Sequence, residues 1–206
     1  DRGRAQATGT VRDELEDLRV RLLPQLGRHR EAIDSAWEIF RHSPDARSYH
    51  RLLSAVTEES RGSWRRRALD HVEASSDATA FVEVCVAAED MERLAHRLEI
   101  ASGFVLAAGH RALESAAAAL ERTRPEAAAE IYARLGTAIL EAGDAQRLFM
   151  AHTLLERAGQ AFGAAGREQD WHVRLDGLRR AHGVVKRWYP DAAGGSEESP
   201  ATDGDG

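Results

Sequence analysis

Residues 27–44 read GRHREAIDSAWEIFRHSP, and this stretch holds a turn, one amphipathic helix and its stop. Ile33, Trp37, Ile39 and Phe40 fall on the three- and four-residue intervals of a helix. Gly27 supplies a turn before the helix, and Ser43-Pro44-Asp45 ends it, because proline disfavours helical backbone in the residue before it. Ala32 and Ala36 are small, which lets a second helix approach closely.

The same pattern continues outward in both directions. Leu148, Leu155, Ala158 and Phe162 repeat the helical period, whereas runs of Val, Ile and Thr with period two are absent, and Ala, Arg, Leu and Glu dominate. The chain is therefore expected to be all-α. Breakers divide it into helices near 11–26, 29–42, 45–58, 62–74, 78–88, 90–100, 103–122, 125–142, 145–165 and 168–188. The punctuation is Gly27, Ser60-Arg61-Gly62-Ser63, Ser75-Ser76-Asp77, Gly103, Gly143-Asp144, Gly166 and Pro190, with Pro125 at a first helical position, where its missing N–H costs nothing. Ten helices make five hairpins of about 36 residues each, a period typical of helical repeats. Gly27, Ala32, Ala36 and Pro44 stand where the second helix of a tetratricopeptide repeat places its turn glycine, small residues and closing proline. Ala158-Gly159, Phe162 and Gly166 match the first helix of that repeat.

Composition sets the limits. A chain of 206 residues can bury roughly 70% of its unfolded surface. With 43% hydrophobic and 30% charged residues and a mean hydropathy of -0.47 it should fold in water, and no apolar run approaches the ~20 residues of a membrane span. A lone Cys85 excludes an internal disulfide framework and a cysteine-rich zinc site in this chain. Of 28 basic residues only Lys186 is lysine, a skew that fits a GC-rich bacterial genome. Five acids (Asp191, Glu197, Glu198, Asp203, Asp205) follow Pro190, so residues 1–190 carry 28 bases against 29 acids. A nearly neutral body offers no global field for nucleic acid. Residues 1–10 and 191–206 have no apolar periodicity and are expected to be disordered, leaving 11–190 as one helical-repeat domain.

Ala32 to Pro44 with Tyr49, Leu52 and Leu53, Trp64 with Arg67, Ala68 and Leu69, Pro125 to Leu135, and Trp171 with Leu175, Leu178, Arg179, Arg180 and His182 together resemble the helical C-terminal region of bacterial SWIM zinc-finger proteins. The likeness spans most of residues 15–188. The finger itself needs C-x-C followed by C-x-H, which one cysteine cannot supply. The resemblance implies tetratricopeptide-like stacking and a binding role, with nucleic acid near a longer parent protein as the alternative.

Chemistry-bearing residues are sparse. Glu38/His42, Glu92/His96 and Glu168/His172 stand four apart, and His110/Glu114 repeat the spacing in reverse, which suits surface pairs better than a metal core. Cys85 lies among Phe81, Val82, Val84 and Val86, where a thiol packs rather than reacts. Gly159, Gly163 and Gly166 follow no strand and precede no Lys-Ser/Thr, so they form no phosphate loop. Trp37, Phe40, Tyr49, Phe149, Phe162 and Trp171 read as core. Two basic clusters remain: Arg61, Arg65, Arg66 and Arg67 beside Trp64, and Arg179, Arg180, Lys186 and Arg187 beside Trp188.

These readings converge on antiparallel helix pairs stacked into a right-handed, tetratricopeptide-like superhelix with a groove along one side. The expected function is a non-enzymatic, cytoplasmic scaffold that takes a protein or peptide partner, without cofactor or metal. Arg61, Arg65, Arg66, Arg179 and Arg180 are the candidate partner or phosphate contacts. An accessory nucleic-acid role predicts one continuous positive stripe, and an enzyme predicts a polar pocket with a strongly perturbed titrating group.

Overall fold

The computed structural model describes residues 15, 18–20 and 22–190, so the expectations for 1–10 and 191–206 lie outside the described residues. Among the described residues there are helices and turns and no strand. The helical positions among 15–25 form α1. They are followed by α2 (His29–His42), α3 (Ala46–Ala55), α4 (Glu58–Glu73), α5 (Ala78–Ala87), α6 (Met91–Ile100), α7 (Ser102–Val105), α8 (His110–Leu120) and α9 (Pro125–Glu141). A short 3-10 turn, Ala145–Arg147, leads into α10 (Leu148–Ala164), α11 (Glu168–Ala181) and α12 (Gly183–Trp188).

Local chemistry fixes many of these ends. Asp45, Asp77 and Asp90 cap α3, α5 and α6, their carboxylates accepting the backbone N–H of Ser48 at 2.6 Å, Ala80 at 3.0 Å and Arg93 at 3.2 Å. At Asp45 the Ser48 hydroxyl returns the bond to the Asp45 N–H, completing a capping box. Gly27 and Gly166 adopt φ +74° and +69°, and in each case the next residue's N–H reaches back to the fifth carbonyl before it. Glu89 takes the same left-handed position after α5 at φ 54°, with Asp90 N–H donating to Cys85 O at 2.9 Å.

The helices stack as antiparallel pairs. α2 packs on α3, and α3, α5 and α8 form a row of neighbours, with α4 and α6 against α5. Gly109 N–H donates to Thr79 Oγ1 at 2.9 Å, which ties the starts of α5 and α8. α8 then pairs with α9, and α10 lies against α9 along its length before α11 and α12 close the order. Two helical glycines permit the tightest approaches. A Cβ on Gly136 of α9 would stand 2.9 Å from Leu155 of α10, and one on Gly159 of α10 would stand 2.8 Å from Trp171 Nε1 of α11. One continuous apolar cluster runs from Val20 to Val185, including Phe40, Tyr49, Leu52, Phe81, Ile131, Tyr132, Leu155 and Phe162. Each of these large side chains contributes on the order of 2 kcal/mol by leaving water.

Several local expectations change. Gly62 is no turn glycine: α4 begins at Glu58, and Gly62 sits on an exposed helix face where a Cβ would touch nothing within 4 Å. Gly103 likewise lies inside α7. The expected helix 103–122 is split into α7 and α8 around Leu106–Gly109, and the expected helix 168–188 is broken at His182, whose extended backbone starts α12. Phe149 is 82% exposed and not core, because it lies two residues before buried Ala151, on the far side of α10. Trp37 is half-buried against the core, and Phe40, Tyr49, Phe162 and Trp171 are buried.

Candidate functional site: a groove across three helix pairs

The row α3, α5, α8 carries a groove of about 480 Å³ lined by Asp45, Arg47 and His50, by Glu83, Val86 and Ala87, and by Arg111, Ala112 and Ser115. The spacing follows from helical geometry: Arg47 and His50, Glu83 and Val86, and Arg111 and Ser115 are three or four apart, so each helix presents one stripe. The floor is apolar at Val86, Ala87 and Ala112. Arg47 and Arg111 form the two walls, both exposed, and neither makes a hydrogen bond or ion pair among the described residues. Glu83 lies between them on α5, half-buried, also with no ion-pair partner among the described residues.

Elsewhere, four arginines tie helix pairs together. Arg93 of α6 donates to Asp70 at 3.0 Å and Glu73 at 2.8 Å on α4, with Asp90 at 3.6 Å. Arg124, before α9, grips Glu92 of α6, and this guanidinium holds the Glu92 carboxyl below its usual range. Arg157 of α10 donates to Glu121 at 2.7 Å at the end of α8 and lies 4.4 Å over the Tyr132 ring. Tyr132 donates to the same carboxylate at 2.8 Å, and burial, then that hydrogen bond, push its phenol well above the usual range. Arg174 of α11 reaches Glu130 of α9 at 2.9 Å. Each clamp joins one helix pair to the next.

The residues singled out from sequence are placed as follows. Arg61, Arg65 and Arg66 are exposed on α4; Arg61 is paired with Glu58 at 2.5 Å, while Arg65 and Arg66 make no hydrogen bond or ion pair among the described residues. Arg67 is spent on aromatic faces, 4.2 Å from the Trp37 ring centre and 4.7 Å from that of Trp64. Arg179 donates to Asp176 and to the Tyr189 carbonyl, both at 2.8 Å, which fastens the end of α12 onto α11, while Arg180 Nε donates to the Asp176 carbonyl within α11 at 3.1 Å. The two clusters sit on elements that belong to different parts of the stack: α4 packs on α3 and α5, and α11 on α10 and α12.

Cys85 is fully buried, and burial drives its thiol up to about 12, the opposite of nucleophile activation. No group of three or more His, Cys, Asp or Glu able to hold a metal occurs among the described residues, and of the four Glu/His spacings, Glu92 is engaged by Arg124. No described helix is long and apolar enough to cross a membrane. Sequence reading did not identify Arg47, Glu83 and Arg111, because nothing in one chain reveals how successive pairs are rotated. Comparison with protein-family models, with curated proteins and with solved structures finds no match for the chain.

Proposed function

We propose that the chain is a non-enzymatic interaction module that takes a segment of a partner protein in the groove across α3, α5 and α8. The supporting observation is that three neighbouring helices, α3, α5 and α8, place a stripe each on one concavity, with two wall arginines left without an ion pair among the described residues while Arg93, Arg157 and Arg174 are engaged in inter-pair clamps. An apolar floor gives a segment area to bury, and guanidinium walls orient it. The residues that carry the SWIM-protein likeness, among them Ala32, Ala36, Tyr49, Leu52, Trp171 and Leu175, are buried packing residues, which accords with a shared tetratricopeptide-like architecture.

The test is affinity purification with the full chain and with Ser115→Trp as baits. Ser115 is exposed at the groove's lip, so the indole fills the groove without touching the core. Partners retained by the native chain and lost by the variant support the reading; identical partner sets reject it. A second reading, contact with nucleic acid, rests on Arg65 and Arg66 being exposed and without an ion pair to an acid among the described residues. It requires binding to a fluorescent oligonucleotide that weakens steeply with salt and drops in Arg65→Gln/Arg66→Gln.

A further inference from the structure

Resting on the reading of this groove as the binding surface, we infer that its occupant is an acidic, extended segment whose carboxylates are taken by Arg47 and Arg111 on either side of an apolar residue seated on Val86, Ala87 and Ala112. The wall charges carry this. Arg47 and Arg111 rise from α3 and α8, the two outer helices of the row, and both are exposed without an ion pair among the described residues. In the same molecule Arg93, Arg124, Arg157 and Arg174 each hold a carboxylate supplied by a neighbouring pair. The groove's own acids do not meet this demand. Asp45 is occupied in the capping box of α3, and Glu83 forms an ion pair with neither arginine.

A planar guanidinium binds carboxylate through two parallel N–H donors, so a free arginine on each wall specifies acceptors on the incoming chain. Neighbouring helices pack about 8–10 Å apart, and an extended chain advances about 3.3 Å per residue. A segment crossing from α3 to α8 therefore covers the two walls within about six residues. Glu83 works against such an occupant: it places a negative charge under the middle of the segment. It favours an apolar or basic residue there over a third carboxylate.

The experiment selects binders from a displayed library of random nine-residue peptides, using the full chain as target. The best peptide is then measured by fluorescence anisotropy against the native chain, Arg47→Gln, Arg111→Gln and Glu83→Gln. Arg47 and Arg111 are exposed and Glu83 is half-buried, and none of the three makes a hydrogen bond or ion pair among the described residues, so the variants should fold, which circular dichroism verifies. The expected result is enrichment of Asp or Glu at two positions flanking an apolar one. Loss of about tenfold in affinity is expected for each arginine variant, with tighter binding for Glu83→Gln. Enrichment of neutral or basic peptides that Ser115→Trp nevertheless abolishes would overturn the acidic assignment and leave the groove reading standing. Peptides indifferent to Ser115→Trp, or no enrichment at all, would overturn both.

Discussion

Gly159 shows how much can depend on one missing methyl group. It sits inside α10, where glycine is disfavoured by about 1 kcal/mol relative to alanine, yet a Cβ there would press into the indole of Trp171. Gly163, one turn later on the same helix, has room, its nearest neighbour lying 3.8 Å away on Glu168. Gly159→Ala is therefore expected to lower unfolding free energy by about 1–3 kcal/mol, and Gly163→Ala to leave it unchanged or raise it by up to about 1 kcal/mol. Urea denaturation followed by circular dichroism separates the two; equal effects would mean that α11 gives way easily. The sequence shows both glycines at helical positions but cannot tell which one faces Trp171, since that depends on the rotation of α11 about its own axis. Glu89 is a second residue-scale finding, for a glutamate in left-handed backbone occupies the position that glycine fills at Gly27 and Gly166. The break after residue 88 was legible in the sequence, but that a glutamate would take the left-handed position was not, since no glycine marks it.

At the scale of elements, ends were legible and faces were not. Asp77 before α5 and Pro125 at the start of α9 act through groups within one turn, so their effect can be read from adjacent letters. Gly62 misled because glycine is tolerated on an exposed helix side, and α4 is secured by Ala68, Leu69 and Val72 in its second half. The clamp at Arg93 could not be seen at all in the sequence, because Glu73 and Asp70 lie 20 and 23 residues away and meet Arg93 only when α4 and α6 flank α5. Arg93 is 24% exposed and serves three carboxylates, a more sheltered arrangement than an ordinary surface pair. A double-mutant cycle of Arg93→Ala and Glu73→Ala should return a coupling of about 0.5–1 kcal/mol that shrinks in 1 M salt. A coupling of zero at low salt would show that the clamp contributes geometry and no energy.

For the whole molecule, a stack in which each pair leans on its neighbours should have stability that varies along its length. α9 is sandwiched between α8 and α10 and buries Ala127, Ala128, Ile131, Tyr132, Leu135, Ile139 and Leu140, whereas α12 buries only Val185. Hydrogen exchange read by mass spectrometry should find the amides of α9 slowest and those of α12 fastest, with α5 close to α9. Uniform protection across 22–190 would instead indicate a single cooperative unit. The all-helical class followed from periodicity and breakers, because both depend on neighbours in sequence; the pairing did not follow so simply, since α2 packs on α3 and α9 on α10, helices expected in successive hairpins. The groove did not, because Arg47, Glu83 and Arg111 are brought together by three separate helices.

The near-absence of lysine has a practical side. The clamps, the groove walls and the ties on α12 are all built from guanidinium, which common amine-directed reagents leave alone. Lys186, exposed on α12, is the one side-chain amine in the sequence. A succinimidyl dye applied above neutral pH should mark that position together with the chain's terminal amine. It would furnish a reporter on the last helix that disturbs neither the stack's internal fastenings nor the surface where a ligand is expected.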